Sequence, residues 1–368
     1  MILKSKPTYV KILTVATALV LLAAVAVGAL LLAFGRDEAL VVSLGETGVT
    51  QKMFDYYLAS YKYEFLVQYK EEGLRDMGNS WRSVSSDGTR TWEARFYDEF
   101  SEFLARKIAA ASLFDASYSL SSDSRTEISD RLQGVIKANG GKAKTNDWLA
   151  RYGCDTEDLR RAVTLDYKSA MLYRVLYGTD GDGLPDGVLE ETYQKEYARV
   201  KTVFIRTKGK LSDGTNAPMS EEALEDAERR IAALQAYLDD GMDEKEFLSL
   251  QEAFNEDEAA ESYPNGYYLS KHVYYDEILT ERALAMKAGE FAMVEGEYGT
   301  YLLYRMSNPV GAYAQKSNAE WFRGFVGSVT EREYAKLVDT VVAKVRFEEN
   351  LFFDAQVIQT PKNYEVVY

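Results

Sequence analysis

Side chains that carry most enzyme chemistry are scarce in this chain. Its 368 residues include one cysteine, Cys154, and one histidine, His272. A single cysteine excludes an internal disulfide framework and any metal site built from several cysteines. We interpret Cys154 as a small buried apolar residue in preference to a nucleophile, and His272 as a surface or loop residue.

One acidic stretch has the spacing of a cation-binding loop. Residues 178–187 read GTDGDGLPDG, in which Asp and Gly alternate. A calcium loop also needs a glutamate at its end that chelates through both oxygens. Glu190 and Glu191 come at the wrong offset for that role. The stretch is therefore interpreted as a linker, and no metal or other cofactor is expected.

Composition narrows the classes of partner. Hydrophobic residues make up 46% of the chain and charged residues 27%, which is typical of folded proteins, and the length allows two domains with cores of their own. The net charge is −15, with a pI near 4.8. Because an acidic protein repels phosphate backbones, nucleic acid is not expected as a partner.

The N-terminal region contains an uncharged apolar run. Residues 12–34 read ILTVATALVLLAAVAVGALLLAF, which is long enough to cross a bilayer as a helix. Lys4, Lys6 and Lys11 precede it, so the positive-inside bias predicts a cytoplasmic tail at 1–11 and an extracytoplasmic body. A cleaved signal peptide is the alternative, but no convincing small-x-small cleavage site follows the run. We therefore predict a single-pass anchor in the cell membrane.

The elements that follow are first helical and then mixed. Residues 39–50 suggest a short strand and turn, Thr50 is a plausible helix cap, and helical periodicity recurs up to about residue 177. Residues 73–91, rich in Gly, Ser and Asp, are expected to form an exposed loop. After the linker, VKTVFIRT at 200–207 alternates as a strand. The order from there to residue 306 is strand, helix, helix, strand, helix, strand, strand.

This second region resembles a known family. Residues 200–306 are similar to the parvulin-type peptidyl-prolyl isomerase domain in VFIRT, YLDDGMDEKEF, FNEDEAAESYPNGYYL and ALAMKAGEFAMVEGEYGTYLLYRM. The last is the most specific, because helix, Lys-x-Gly-Glu, strand, x-Gly, strand is how that family closes its sheet. The flanks VVSLGETGVTQKMFDYYL and NDWLARYGCDTEDLRRAV look like the helical chaperone region of the membrane-anchored PrsA and periplasmic SurA secretion foldases.

The resemblance implies an α+β fold with an inserted domain. A helical chaperone domain would consist of residues 38–197 and a returning segment at 309–368, with the isomerase-like domain, a small antiparallel sheet with surrounding helices, at 198–308. The helical run 319–348 would bring an apolar face back against the N-terminal helices. Its residues on that face are Leu337, Val338, Val341, Val342 and Val345.

The resemblance also implies where a site would lie, and how it departs from the family. Parvulins have a histidine in the first strand and another in the last; the matching positions here are Phe204 and Tyr301. Asp257 matches the family's Cys or Asp near the active site. Tyr275 and Leu279 match residues that line the proline pocket. No catalytic residue is therefore established by the match, while Phe204, Tyr275, Leu279 and Tyr301 are the expected substrate-binding residues.

Three functions remain compatible with these residues. Rotation of an X-Pro bond faces a barrier of about 18–20 kcal/mol and needs no covalent step, only an apolar socket and polar groups that favour the twisted amide. An aromatic pair supplies the socket but not a pair of imidazoles. We therefore expect a folding factor that binds unfolded secreted or envelope proteins, with an isomerase domain of reduced or lost activity. A true isomerase with a remodelled pocket and a structural module of an envelope complex are the alternatives.

Overall fold

The structure is a computed structural model that describes residues 39–178, 181–210, 216–273, 275–349, 351–354 and 357–363. Its helices and small antiparallel sheets form an α+β fold, as predicted. Within these ranges no helix is both long enough and apolar enough to cross a membrane. The predicted anchor at 12–34 and the tail at 1–11 lie outside the described residues.

The chain divides into two units. The helical unit comprises Met1–Pro185 with Thr330–Tyr368, and the sheet unit comprises Asp186–Val329. Helices of the helical unit are α1 (Gln51–Gln68), α2 (Gly78–Arg82), α3 (Trp92–Ser117), α4 (Ser122–Ala138), α5 (Lys142–Leu149), α6 (Thr156–Tyr177), the part of α11 (Phe325–Val342) from Thr330 on, and α12 (Leu351–Asp354). Its strands are β1 (Leu40–Leu44), β2 (Thr47–Thr50) and β9 (Arg346–Phe347), in the sheet order β2-β1-β9.

Polar caps fix where the long helices of this unit begin. The Thr50 side chain accepts a hydrogen bond from the Met53 amide at the start of α1, as its sequence position suggested. Asp155 begins α6 with a capping box, in which Asp155 and Asp158 each accept from the other's backbone amide. These caps satisfy amides that the helices themselves leave without a partner.

Both ends of the chain contribute to the core of the helical unit. Leu337, Val338 and Val341 are buried in the same apolar cluster as the side chains of α1 and α3, and Val342 and Val345 pack against it. The Phe352 ring contacts Phe54 at 5.7 Å between centroids. Strand β9 extends the sheet, with Phe347 opposite Val42. Burial of each such side chain contributes about 1.5–3 kcal/mol, so the returning segment completes this core.

The region expected to be an exposed loop at 73–91 is partly core. It contains α2, and the Trp81 side chain in this helix is fully buried. Trp81 stacks on Phe65 with ring centroids 5.9 Å apart. The expectation of a loop throughout was wrong because a single large aromatic residue can anchor an otherwise polar, glycine-rich stretch.

The sheet unit is built on a four-stranded antiparallel sheet in the order β6-β3-β8-β7. Its strands are β3 (Ala198–Arg206), β4 (Gly209–Lys210), β5 (Asn216–Ala217), β6 (Tyr267–Leu269), β7 (Phe291–Glu295) and β8 (Gly299–Arg305), with β4 and β5 forming a separate small hairpin. Its helices are α7 (Val188–Glu196), α8 (Glu221–Asp239), α9 (Glu244–Phe254), α10 (Glu277–Ala285) and the residues of α11 before Thr330.

Strand alternation divides this unit into two cores. Val203 and Ile205 of β3 face a cluster that includes residues of α8 and α9, whereas Val200 and Phe204 face a second cluster that includes Leu279 of α10. This is the period of two that places successive side chains on opposite faces of a sheet. The second face is the one that carries the candidate site.

The limits of the sheet unit lie outside the predicted 198–308. On the N-terminal side, Tyr193 and Tyr197 pack with Phe322 at 5.4 and 4.8 Å between ring centroids. Tyr197 also contacts Phe325 edge-on at 5.5 Å. This aromatic cluster holds α7 and the residues that lead into α11 in the sheet unit, which explains the wider limits of 186–329.

Candidate functional site

A cavity of about 470 Å³ opens on the second face of the sheet unit. It lies where β3 ends and β8 begins, beside the loop that follows α9. Aromatic and acidic side chains predominate in its wall, which is lined by Phe204, Arg206, Glu256, Asp257, Glu258, Ala259, Tyr275, Tyr298 and Tyr301.

Phe204 and Tyr301 form the floor of this cavity as a cross-strand pair. They stand directly opposite each other in the β3–β8 ladder, and their rings stack with centroids 4.5 Å apart and planes 24° from parallel. Both are buried, at 5% and 8% exposure. Stacked aromatic pairs contribute about 0.5–1.5 kcal/mol beyond the area they bury. The pair therefore rigidifies the position at which the parvulin resemblance places two histidines.

Two glycines leave room for these rings. A Cβ on Gly299 would lie 2.9 Å from Cε2 of Phe204 and 2.2 Å from the carbonyl oxygen of Ile205. A Cβ on Gly296 would lie 2.9 Å from Cε2 of Tyr301. The glycine in the closing hairpin, noted as a family feature of the sequence, thus has a packing reason at this site.

The loop after α9 forms one wall by continuing the hydrogen bonding of β3 beyond the end of β6. The Asn255 side chain accepts from the Phe204 amide at 2.8 Å, and the Glu256 amide donates to the Phe204 carbonyl at 2.9 Å. The Glu256 carboxylate accepts from the Arg206 amide at 2.7 Å and pairs with Arg230 at 2.7 Å. The backbone on both sides of Phe204 is held in place by these bonds.

Asp257 is fixed between two partners at the cavity wall. One carboxylate oxygen accepts from the Ala259 amide at 3.0 Å and caps the short helix Glu258–Glu261. The other accepts from the Tyr267 hydroxyl at 2.5 Å, the distance of a strong charge-assisted bond. Burial, together with this bond to a carboxylate, raises the pKa of Tyr267.

Asp276 links α10 to the β7–β8 turn. One of its oxygens accepts from the amides of Ile278 and Leu279, and the other from the Glu297 amide at 2.9 Å. Burial, with the negative charges of Asp276 and Asp257, raises the pKa of Tyr301 to about 12. Its hydroxyl is protonated at neutral pH, as that of an ordinary tyrosine is, and within the described residues it makes no hydrogen bond of its own.

The arrangement can bind an apolar group but offers little to an acid–base mechanism. Its lining residues supply aromatic rings, phenol hydroxyls and carboxylates. The chain's one histidine, His272, is exposed and lies 3.1 Å from Glu196, and the cavity wall does not include it. In the described part of the chain, no group of three or more His, Cys, Asp or Glu side chains could hold a metal.

The structure brings together four of the five residues selected from the sequence. Phe204, Asp257, Tyr275 and Tyr301 line the one cavity. Leu279 is fully buried in the core beside them and is not among the residues that line it, because the cap at Asp276 starts α10 so that Leu279 points toward the sheet. Their roles remain predictions.

Cys154 is buried in the helical unit, as predicted. Burial raises the pKa of its thiol to about 12, so it is a neutral thiol at physiological pH and not a nucleophile. Its Sγ lies 3.0 Å from the Lys52 carbonyl oxygen.

Sequence reasoning missed several residues of the wall and its support. Arg206, Glu256 and Glu258 lie within two residues of Phe204 or Asp257, so their closeness in sequence to a predicted site residue could have identified them. Tyr298 precedes Gly299 in the closing hairpin. Tyr267 is ten residues from its partner Asp257, and nothing in the sequence indicates that bond.

No protein-family model and no curated protein matches this chain. Solved structures similar to it include PrsA from Bacillus subtilis, with 15% identity, 74% of this chain and 92% of that chain covered, and a TM-score of 0.23. Peptidylprolyl isomerase (PrsA) from Bacillus cereus has 9% identity, coverage of 74% and 95%, and a TM-score of 0.31. Foldase protein PrsA from Streptococcus pneumoniae has 12% identity, coverage of 76% and 97%, and a TM-score of 0.23. At these values neither activity nor site residues are transferred from those proteins to this chain.

Proposed function

We propose that this protein is a folding factor that binds extended segments of unfolded proteins and that its isomerase-like domain has little or no activity. The observation that carries the proposal is the stacked pair of Phe204 and Tyr301 on the floor of the cavity. In the parvulin resemblance these two positions belong to histidines.

Binding is supported by the chemistry of the wall. Rigid aromatic side chains give a large contact area at low conformational cost, and hydroxyls at their rims can donate to the carbonyls of an extended chain. A cavity of about 470 Å³ accommodates a proline ring or another apolar side chain with its backbone. The proposed ligand is accordingly an apolar or prolyl segment of polypeptide.

Low activity follows from what the pair lacks. Catalysis of X-Pro rotation requires dipoles that interact more strongly with the twisted amide than with the planar one. The phenyl ring of Phe204 has no such dipole. Tyr301 offers only a single hydroxyl, which can donate one hydrogen bond.

The proposal includes an extracytoplasmic location. It rests on the uncharged run at 12–34 and the lysines that precede it. Protease added to protoplasts should then digest the body of the chain. A C-terminally tagged chain that is protected in protoplasts and digested after lysis would contradict this location.

A helical chaperone domain made from both chain ends is the second part of the proposal. The helical unit is suited to that role because residues of α11 complete its core. Unfolded or extended polypeptide is the proposed partner of the protein as a whole.

A true isomerase with a remodelled pocket is the second candidate. It is favoured by the three phenols of Tyr275, Tyr298 and Tyr301, which line the same cavity as Asp257. A network of protonated phenols around a carboxylate can donate to a twisted amide, and only a rate measurement separates this from simple binding.

Two assays on the full-length chain in nanodiscs test the proposal together. One follows suppression of aggregation of a chemically unfolded client, and the other follows prolyl-peptide isomerisation without a coupling protease. Suppression without acceleration of isomerisation is the expected result. Acceleration comparable to that of an active isomerase would favour the second candidate, and absence of both effects would contradict each of them.

A further inference from the structure

Aromatic side chains continue outward from the cavity as a shelf. We define the aromatic shelf as Tyr263, Tyr267, Tyr275 and Trp321. Tyr275 lines the cavity and lies 5.9 Å from Tyr267 between ring centroids. Tyr267 lies 5.8 Å from Trp321, and Trp321 lies 5.1 Å from Tyr263, both edge-on. The shelf is therefore continuous with the candidate site.

The outer end of the shelf is accessible. Tyr267 is buried, but Tyr275, Tyr263 and Trp321 are only half-buried where they pack against the core of the second face. Trp321 is the one tryptophan in the sequence of the sheet unit. A half-exposed tryptophan beside tyrosines is the composition that recurs at the centres of binding surfaces.

Two carboxylates, Glu320 and Glu258, lie at the shelf and the cavity beside it. The Glu320 carboxylate accepts from the Tyr263 hydroxyl at 3.1 Å, next to Trp321 in the chain. Glu258 is exposed at the cavity wall. Neither carboxylate forms an ion pair with another described residue, whereas Arg206, the cation of the cavity wall, lies over the Phe204 ring at 5.4 Å. The shelf side thus combines aromatic faces with uncompensated negative charge.

We propose that the aromatic shelf binds a lysine or arginine side chain of the same extended segment whose apolar residue fills the cavity. The inference rests on the proposed function and specifies its client. Successive residues of an extended chain are about 3.3 Å apart. A basic residue three or four positions from the apolar residue in the cavity is therefore separated from it by about the distance that the two ring contacts cover between Tyr275 and Trp321.

The chemistry of such a side chain matches both features of the shelf. A cation over a tryptophan face is attracted by the ring quadrupole, and arginine can also stack its planar group on the ring. Glu320 would approach the same cation as a partly exposed ion pair. Together these contacts correspond to about a fivefold to tenfold gain in affinity over a neutral side chain of the same shape.

The test uses fluorescent peptides and the full-length chain. Each peptide carries one Phe-Pro centre and, three or four residues to either side, arginine or its neutral isostere citrulline. Dissociation constants are measured by fluorescence anisotropy for the unchanged chain and for Trp321→Leu and Glu320→Gln. Trp148→Leu, a half-buried tryptophan of the helical unit, and Glu228→Gln, an exposed acid on α8, are the matched controls.

The expected result is that arginine peptides bind about fivefold to tenfold more tightly than citrulline peptides. Trp321→Leu and Glu320→Gln should each reduce that ratio while the two controls preserve it. Equal binding of both peptide types, or a ratio that survives both shelf variants, would overturn the inference and leave the proposed function intact. Failure of every peptide to bind would overturn the proposed client binding and the inference with it.

Discussion

Removal of the Tyr301 hydroxyl is the perturbation that isolates the polar contribution of the stacked pair. Tyr301→Phe keeps the ring that lies 4.5 Å from Phe204 and deletes one oxygen. A hydroxyl with a protein partner would contribute about 1 kcal/mol to the free energy of unfolding. Because the Tyr301 hydroxyl has no hydrogen-bond partner among the described residues, we expect the change in unfolding free energy to stay below about 0.5 kcal/mol.

Truncation of the whole Tyr301 ring is expected to change the free energy of unfolding much more than removal of its hydroxyl. Tyr301→Ala removes the whole stacked side chain, which is 8% exposed, and should lower the free energy of unfolding by about 3–5 kcal/mol. Tyr304, which stacks on Phe291 at 4.8 Å from the opposite face of the sheet, provides the control Tyr304→Phe. Denaturant unfolding of the three variants measures these differences.

Measurements of client binding and of isomerisation rate on the same variants complete this test. For Tyr301→Phe we expect a client dissociation constant within about twofold of the parent, since the apolar contact is retained. A residual isomerisation rate that falls tenfold or more in Tyr301→Phe, with Tyr304→Phe unaffected, would refute the reasoning. The tyrosine hydroxyl would then contribute to catalysis of the rotation.

Three further predictions concern the response to alkaline pH, the buried Lys62 and the returning segment. Because the pKa of Tyr301 is raised above the unfolded value, its contribution to stability is complete below pH 10 and is lost as the pH rises toward 12; Tyr301→Phe should lose less stability over that interval in pH-dependent unfolding experiments. Lys62, 1% exposed, donates to the Thr360 carbonyl at 2.7 Å and pairs with Asp76 at 2.9 Å. Lys62→Met should therefore lower the free energy of unfolding by about 3 kcal/mol in chemical denaturation, whereas Lys70→Met at an exposed position should leave it almost unchanged. Deletion of residues 319–368 removes Leu337, Val338 and Val341 from the core of the helical unit and should cause aggregation, and a truncated chain as soluble as the parent in light scattering would contradict that assignment.

Local sequence patterns were sufficient to predict the elements that position the site. Thr50 was identified as a cap because a short polar side chain preceded an apolar periodic run, and it accepts the expected backbone bond. The parvulin resemblance put Phe204 on the first strand and Tyr301 on the last strand of the sheet. The register then puts Phe204 directly opposite Tyr301.

Features that depend on contacts between residues distant in the sequence could not be predicted from local patterns. Strand β9 has two residues, too few for any periodicity, and exists because it pairs with β1. The Asp257–Tyr267 bond depends on how a loop folds back on a strand. Leu279 was expected on the cavity wall, but its side chain is fully buried in the core of the second face.

The central claim is that the aromatic cavity binds an X-Pro segment without accelerating its rotation, and NMR exchange spectroscopy on one prolyl peptide measures both properties. When the peptide is titrated with the full-length chain in nanodiscs, we expect saturable shifts of the peptide signals. Cis and trans signals should interconvert at the uncatalysed rate, over tens to hundreds of seconds. Exchange peaks between the cis and trans signals at mixing times below one second would contradict the account.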